Sequence, residues 1–363
     1  MKLNYSFLPL YALVFTVFLV ISCKGKQEPL ATESKTADVS DTTKNIREVT
    51  PYVVTDSIVR SIYEDTKGNL WIGRVKTGLS KWNGETMTHF SMKDGLADNQ
   101  VRTIQEDQAG NMWFATGNGV SKYDGQQFTS VVSNLSFPAV GFTRNNWPAK
   151  TDGLWFNGEK EGGIYHYDGK MLSVYDFPEL PEDHESFSIK GTVTGISHGK
   201  RGVIWMANYG GVIGYNGVEF TYINERRFKY HVRSLHEDSK GRLWIGNNGI
   251  GVLLYDGDTT INFSKQQKIY DVGGSDGGGL SPQGTLNHVF SITEDLAGNI
   301  WFGDRDTGLW KYDGTGMTNY GFDDGISNTF VCALHTDRKG NLLIGLGNGD
   351  VFRYDGVSFE KMF

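Results

Sequence analysis

Three arginines stand in the same short sequence context at widely separated points of the chain. Arg60, Arg102 and Arg233 each follow a Val and precede a Ser or Thr and then an aliphatic residue. A guanidinium group donates several hydrogen bonds in a fixed fork, so a set of them at one repeated position suits a ligand rich in hydroxyl groups. The alternative interpretation is that this ladder of arginines only satisfies backbone groups at strand ends.

Two histidines also share a repeated position. His231 and His288 directly precede equivalent valines, and Asp304 and Asp306 follow in the same unit as His288. Such side chains can bind a metal ion or serve as general acid and base. However, two histidines at one of many repeated positions also arise readily by chance. We therefore predict no metal, no cofactor and no catalytic residue, and an enzyme stays an alternative.

These residues belong to a sequence unit that occurs seven times after residue 48. Residues 49–363 number 315, which is about 45 per unit. Each unit has a Trp, or a Leu in the seventh, and an aromatic–Asx–Gly turn follows ten to twelve residues later. A fixed period of this length is typical of repeat architectures. The recurring residues are Trp71, Trp113, Trp155, Trp205, Trp244, Trp301 and Leu343.

Each unit contains four short segments rich in β-branched and aromatic residues, separated by Gly and Asx turns. In the first unit these are the expected strands a (59–64), b (70–73), c (78–82) and d (87–91). Seven such sheets arranged radially predict an all-β fold, a single seven-bladed β-propeller with four antiparallel strands per blade and Trp between blades. An all-β solenoid is the structural alternative. The ring could close with strand 358–362 alone, or with 52–54 as an added or substituted strand.

The two faces of such a propeller differ in their loops. The a–b and c–d turns lie on one face and are short, whereas the b–c and d–a loops lie on the other and vary, the longest spanning 263–288. Function concentrates in variable loops on a rigid scaffold, so we predict that the second face binds a ligand. The candidate ligand-binding residues there are Arg60, Arg102, Trp147, Tyr209, His231, Arg233, Asn248, His288, Asp304 and Arg305.

The repeat resembles a known family. The pattern V-x-x-I-x-E-D-x-x-G-N-L-W-I-G followed by G-L-S-K-Y-D-G, with the linker at 95–101, is similar to the two-component regulator propeller repeat of bacterial sensor proteins. The resemblance covers nearly all of 59–363, although units three and four depart from it. It implies the propeller fold and a sensing-like role. The sequence shows no second propeller, no membrane helix after the repeats and no kinase, so signalling of its own is not implied.

The N-terminal segment is expected to be a targeting signal rather than part of the fold. A charged start, an apolar run and Ser22-Cys23 resemble the lipobox of bacterial lipoproteins. We predict a signal peptide over 1–22, a lipidated Cys23 with a flexible tether over 23–48, and the propeller over 49–363. The location is then the bacterial cell envelope, anchored to a membrane by lipid, with the outer membrane favoured. An ordinary signal peptide or a membrane anchor is the alternative.

The composition of the chain reduces the number of possible classes of function. The net charge is −7, which argues against a nucleic-acid partner, and two distant Cys exclude a disulfide scaffold. Cys332 lies in an apolar segment and is expected to be a buried thiol. Three hypotheses follow: a propeller that binds a glycan or similar small envelope ligand, an interaction scaffold for another envelope protein, and a lyase or hydrolase that acts on a polysaccharide or small molecule.

Overall fold

The computed structural model describes residues 57–132, 147–157, 163–176, 193–207, 211–223, 231–271 and 279–363. Residues Val49–Phe363 form one compact unit, and its described strands make seven antiparallel sheets. Six sheets have four described strands and the third has three, each in simple sequence order. The chain is therefore an all-β, seven-bladed β-propeller with almost no helix, and the fold predicted from the repeats is confirmed.

Each blade with four described strands runs from an inner strand at the channel to an outer strand at the rim. Blades 1 and 2 consist of β1 (Val59–Glu64), β2 (Leu70–Arg74), β3 (Leu79–Trp82), β4 (Met87–Phe90), β5 (Val101–Glu106), β6 (Met112–Thr116), β7 (Gly119–Tyr123) and β8 (Phe128–Val132). Blades 3 and 4 consist of β9 (Leu154–Asn157), β10 (Gly163–Tyr167), β11 (Leu172–Asp176), β12 (Gly195–His198), β13 (Ile204–Ala207), β14 (Val212–Tyr215) and β15 (Phe220–Ile223).

The remaining blades follow the same plan. Blades 5 to 7 consist of β16 (Val232–Glu237), β17 (Leu243–Asn247), β18 (Gly251–Tyr255), β19 (Thr260–Asn262), β20 (Val289–Glu294), β21 (Ile300–Asp304), β22 (Leu309–Tyr312), β23 (Met317–Tyr320), β24 (Val331–Thr336), β25 (Leu342–Leu346), β26 (Val351–Tyr354) and β27 (Phe359–Lys361). The described helices are α1 (Phe263–Gln266) and the 3₁₀ turns Met92–Asp94, Lys200–Gly202 and Phe322–Asp324. None of the helices within the described ranges has the length and apolar character needed to cross a membrane.

One aspartate organises each well-formed a–b turn, and it is buried in blades 1 and 5. In blade 5, Asp238 accepts hydrogen bonds from the backbone N–H groups of Lys240 and Arg242, both at 2.9 Å. Its second oxygen accepts the indole N–H of Trp244 at 2.8 Å, so the turn is tied to the recurring Trp. Burial would raise the pKa of Asp238, yet these hydrogen bonds hold it below its usual value. Asp65, Asp107 and Asp295 accept the same three kinds of hydrogen bond in their own turns.

The recurring Trp also joins neighbouring blades. Trp71 of blade 1 packs against Phe114 and Tyr123 of blade 2, with ring centroids 5.6 and 5.7 Å apart. Trp244 of blade 5 packs in the same way against Phe302 of blade 6, at 5.5 Å. Large buried rings of this kind dominate core energetics, so the Trp positions are the main apolar contacts between blades.

The ring closes by packing between blade 7 and blade 1. Blade 7 owns four strands, β24–β27, whereas residues 52–54 lie outside the described part of the chain. Gly345 of blade 7 faces Val59 of blade 1 so closely that a Cβ at Gly345 would lie 2.8 Å from the Val59 Cβ. The Glu64 carboxylate of blade 1 accepts a hydrogen bond from the Arg338 N–H of blade 7, at 2.8 Å. Both contacts repeat those made between other blade pairs.

Candidate ligand-binding channel

A β-bulge in the inner strand determines which side chains face the channel. In β1 the pairing passes from Val59 opposite Arg74 to Ser61 opposite Gly73, which leaves Arg60 as the bulged residue. The inner strands β5, β16, β20 and β24 contain the same irregularity after their first residue. A bulge re-aims the side chain of its extra residue. The five bulged residues all line one central cavity: Arg60, Arg102, Arg233, Phe290 and Cys332.

This cavity is the upper of two adjoining chambers in the channel. The upper chamber has a volume of about 560 Å³ and reaches the b–c and d–a loops, where Ile58, Val75 and His231 line it. The lower chamber, of about 330 Å³, extends towards the a–b turns and is lined there by Gln105 and His198. Pockets that bind small molecules typically have volumes of a few hundred to a thousand Å³. The upper chamber is therefore large enough for a small ligand.

The upper chamber concentrates positive charge in an acidic protein. Arg60, Arg102 and Arg233 come to it from blades 1, 2 and 5, and no Asp or Glu is among its described lining residues. The chain as a whole carries a net charge of −7. A cleft with charges of one sign and low-dielectric walls focuses the field and attracts the opposite charge. The arrangement therefore favours an electron-rich or anionic ligand.

The three guanidinium groups are held differently. Arg102 donates to the Gln100 Oε1 from Nη2 at 2.8 Å and from Nε at 3.1 Å. Arg233 lies over the ring of Phe290, with its Cζ 4.6 Å from the ring centroid. Arg60 is partly buried and makes no hydrogen bond or ion pair with another described residue. Two of the cations are thus positioned by neighbours, and the third presents its donors to the chamber.

The pKa shifts follow the positive field in the chamber. Burial lowers the pKa of Arg60, and the like charge of Arg102 lowers it further. Burial, Arg233 and Arg60 together lower the pKa of His231 to about 3, so its imidazole is neutral near pH 7. Burial raises the pKa of the Cys332 thiol, which is therefore protonated and a poor nucleophile. The chamber can donate hydrogen bonds and positive charge, but it holds no base ready to act at neutral pH among these groups.

Aromatic and amide groups complete the wall. Phe290 meets Phe330 edge to face, with ring centroids 5.0 Å apart. Asn157 donates to the Val193 carbonyl at 2.7 Å, while its Oδ1 is buried and has no hydrogen-bond partner among the described residues. Apolar ring surface beside amide groups suits a ligand that has both hydroxyl groups and an apolar face.

His288 lies inside blade 6 and not in the channel wall. Its side chain is 0% exposed, and its Nδ1 contacts both Ser281 Oγ, at 2.7 Å, and Asp306 Oδ2, at 3.0 Å. Arg305 donates from Nε to Asp306 at 2.7 Å, and Asp304 accepts the His288 backbone N–H at 2.8 Å. In a catalytic triad the hydroxyl and the carboxylate contact different ring nitrogens. This cluster is therefore a buried polar network that fastens the loops of blade 6.

The pKa values of the two aspartates in this network move in opposite directions. Burial raises the pKa of Asp304 to about 6, against hydrogen bonds from backbone N–H groups that lower it. Burial would also raise the pKa of Asp306, yet the hydrogen bonds from His288 and Arg305 hold it far below its usual range. Within the described ranges, no group of three His, Cys, Asp or Glu side chains is arranged to hold a metal ion.

The other candidates from the sequence occupy separate places. Trp147 packs against Trp155 and Tyr215, with ring centroids 5.9 and 5.0 Å apart, and so belongs to an aromatic cluster between blades 3 and 4 instead of the channel mouth. Asn248 donates its backbone N–H to the His231 carbonyl at 2.9 Å. Tyr209 lies outside the described residues. The structure thus joins only four of the candidates in one chamber: Arg60, Arg102, His231 and Arg233.

Sequence reasoning missed part of the chamber wall. Phe290 and Phe330 were not among the candidates, and Cys332 was expected to be a buried thiol in an apolar strand, without a place in the channel. Phe290 and Cys332 occupy the same repeat position as the arginines, directly after the first Val of the inner strand. That position was the signal that could have found them.

The fold and the channel define a propeller whose repeats also match a family model. Residues 54–73, 95–118 and 228–249 match the family described as two component regulator propeller. These segments include the inner strands that carry Arg60, Arg102 and Arg233. The resemblance found in the sequence is therefore confirmed.

Solved structures show the same fold at low sequence identity. The extracellular domain of the hybrid two component system BT3049 from B. thetaiotaomicron is similar with a TM-score of 0.57 and 20% identity over 84% of this chain and 40% of that one. YCF48 from Cyanidioschyzon merolae has a TM-score of 0.56 and 10% identity, over 83% of this chain and 96% of that one. YCF48 bound to D1 peptide has a TM-score of 0.54 and 12% identity, over 85% and 96%.

These likenesses concern the fold alone, because the identities are low. The chain spans about 40% of the length of the BT3049 extracellular domain. None of the curated protein sequences matches the chain.

Proposed function

We propose that this chain is a ligand-binding propeller of the bacterial cell envelope, which takes a small molecule into its channel from the face of the b–c and d–a loops. The observation that carries the proposal is the upper chamber of about 560 Å³, on which three arginines from three blades converge. A formed cavity with a few convergent polar groups is the usual form of a small-molecule site. The family's use in sensor proteins agrees with this role.

The envelope location rests on the N-terminal sequence. Ser22-Cys23 after an apolar run supports cleavage before Cys23 and attachment of lipid to it. The polar residues 24–48 would then tether the propeller to the membrane surface. The fold shared with the extracellular domain of a sensor protein is compatible with this location.

The buried groups of blade 6 give an enzymatic role little support. His288 is 0% exposed and uses the same nitrogen, Nδ1, for its contacts with Ser281, Asp306 and Arg305. A general base must come within hydrogen-bond reach of a substrate proton, and this imidazole faces protein on all sides. Binding is therefore the function that the geometry supports best.

A thermal-shift screen with a variant that narrows the chamber tests the proposal. Mono- and disaccharides, sugar acids and short peptides are tested against the wild type, Ile58→Trp and Val357→Trp. Ile58 lines the upper chamber, whereas Val357 is 89% exposed in an outer turn, so both variants add a Trp without a change in charge. A ligand at a hundred times its Kd adds about 2.7 kcal/mol to the free energy of unfolding.

We expect a shift that Ile58→Trp abolishes and Val357→Trp retains. A shift retained by both variants would place the ligand outside the channel and refute the proposed site. If no compound shifts the wild type, small-molecule binding is refuted, and an interaction scaffold for another envelope protein becomes the better hypothesis.

A further inference from the structure

Charge at the upper chamber is unbalanced within the described residues. Three guanidinium groups line it, and none of its described lining residues is acidic. Bringing like charges into a partly buried space costs free energy unless an opposite charge joins them. Burial lowers the pKa of Arg60, and the like charge of Arg102 acts in the same direction. A bound anion would relieve this cost, because none of the described lining residues supplies a carboxylate.

Of the three arginines, Arg60 is the one whose guanidinium N–H groups are available to a ligand. Gln100 orients the guanidinium of Arg102, and the Phe290 ring supports that of Arg233. Arg60 has no hydrogen bond or ion pair with another described residue, so its donors are available to a ligand. An arginine fork matches a carboxylate through two parallel N–H···O bonds. Arg60 is therefore the group best placed for the direct contact, while Arg102 and Arg233 supply the surrounding charge.

The remaining wall indicates what else the ligand carries. The chamber of about 560 Å³ fits a molecule of one or two sugar rings and excludes a long polymer inside it. Gln100 and Asn157 offer amides for hydroxyl groups, and Phe290 with Phe330 offers apolar ring surface. Hydroxyl groups, an apolar face and a carboxylate together describe a sugar acid.

We infer that the upper chamber selects a small sugar acid, with its carboxylate bound by Arg60 and its hydroxyl groups by the amides of the channel wall. The inference rests on the proposed function, since it names the ligand class of the same channel. It adds that the negative charge of the ligand, and not its sugar ring alone, provides the affinity.

Matched pairs of ligands separate charge from ring shape. Glucuronate, galacturonate, N-acetylneuraminate and gluconate are titrated calorimetrically into the full-length protein, each beside a neutral counterpart such as glucose, galactose or the corresponding amide. The best sugar acid should bind at least 10-fold more tightly than its neutral counterpart, because a hydrogen-bonded charge pair commonly contributes that much. Its affinity should also fall as NaCl is raised, since salt screens the attraction.

Three variants test which positive charge contributes to the affinity for the sugar acid. Arg60→Gln should weaken binding of the best sugar acid at least 10-fold and weaken binding of the neutral sugar much less, because the neutral sugar loses only hydrogen bonds and no charge pair. Arg60→Lys keeps the charge without the fork and should fall between the wild type and Arg60→Gln. Lys67→Gln removes one positive charge from an exposed a–b turn on the other face and should bind like the wild type. Circular dichroism checks that each variant is folded, and Arg60→Lys provides the test if Arg60→Gln does not fold.

The outcomes distinguish this inference from the proposed function. If sugar acids bind no better than neutral sugars, or if Arg60→Gln and Arg60→Lys bind the acid as the wild type does, the inference is wrong while a channel ligand stands. If a peptide carboxylate binds and every sugar acid fails, the sugar part is overturned. If the earlier screen finds no channel ligand at all, the proposed function fails, and the inference fails with it.

Discussion

The a–b turns and the channel bulges occupy the two ends of the same inner strand, yet they differ in how their polar groups are satisfied. At the turn, Asp238 accepts from two backbone N–H groups, an indole and a guanidinium, so its oxygens are fully used. At the bulge, Arg60 has no such partner among the described residues. In blades 1, 2, 5, 6 and 7 the turn has the same Asp-x-x-Gly sequence, whereas the bulged position carries Arg, Phe or Cys.

This difference indicates that the turn residues serve the structure of the blades and that the bulged residues serve binding. A turn aspartate whose oxygens are all used in hydrogen bonds has nothing left to offer a ligand, and its repetition keeps the five blades that contain it alike. A bulged position is not part of the strand ladder, so its side chain can change without loss of a backbone hydrogen bond. Substitutions at the turn should therefore affect stability, and substitutions at the bulge should affect binding.

The largest effect on stability is expected for the Trp of the turn network. Trp244 is fully buried, packs against Phe263 and Phe302, and donates to Asp238. Trp244→Ala should lower the free energy of unfolding by about 3–5 kcal/mol, because a large cavity forms and a buried hydrogen bond is lost. Urea denaturation followed by circular dichroism measures the change.

Trp244→Phe serves as the control that separates packing from hydrogen bonding. It keeps a large ring and removes only the indole N–H, so a loss of about 1–3 kcal/mol is expected. Equal effects of the two substitutions would show that packing contributes little. A loss below about 1 kcal/mol for Trp244→Ala would contradict the view that this network holds the blades together.

The fold could be predicted because the residues that form the turn network recur in the sequence at a regular spacing. The Asp-x-x-Gly turn recurs in five blades, the Trp in six and the aromatic–Asx–Gly turn in all seven, because each is needed for local geometry. The strand bounds agree with the expected ones to within a residue or two; for example, strand b of blade 1 ends at Arg74 instead of residue 73. Local chemistry of this kind is the part of a fold that periodicity reveals.

The site could be predicted only in part, because a bulge has no sequence signature of its own. The shared position of the arginines correctly grouped Arg60, Arg102 and Arg233, since one repeat position maps to one place in the ring. Loop position alone did not tell that Trp147 packs between blades or that His288 is buried. Those outcomes depend on tertiary packing, which a loop's place in the repeat does not specify.

A smaller effect is expected where the ring closes. A Cβ at Gly345 of blade 7 would lie 2.8 Å from the Val59 Cβ of blade 1 and even closer to its Cγ1. Gly345→Ala should therefore lower the free energy of unfolding by about 1–3 kcal/mol, because the two blades must move apart. Gly316→Ala is the matched control, since nothing lies within 4 Å of its Cβ position.

Chemical denaturation of both Gly→Ala variants measures this difference. If Gly345→Ala is as stable as Gly316→Ala, the contact between blades 7 and 1 adjusts freely and does not lock the ring. Closure would then rest on other contacts, such as the hydrogen bond from the Arg338 N–H to Glu64.

The smallest effect concerns a channel group and appears only in acid. The pKa of His231 is lowered to about 3 by burial, Arg233 and Arg60, whereas an unfolded His has a pKa of about 6.5. Between these two pH values His231 is protonated in the unfolded chain and neutral in the folded chain. The free energy of unfolding therefore falls as the pH is lowered from about 6.5 to about 3. We expect His231 to account for about 1–2 kcal/mol of the loss between pH 7 and pH 4, after allowance for its partial exposure.

His231→Gln isolates this contribution, because the variant keeps a polar group and removes the titration. Burial also lowers the pKa of His166, His198, His236 and His335, so the wild type and the variant should share a common acid trend. The wild type should lose more stability than the variant between pH 6.5 and pH 4, measured by urea denaturation at each pH. Parallel curves would mean that burial and the two arginines together do not lower the pKa of His231 in the folded protein. A bound sugar acid should reduce the difference between the two proteins, because its negative charge offsets that field and lets His231 accept its proton at a higher pH.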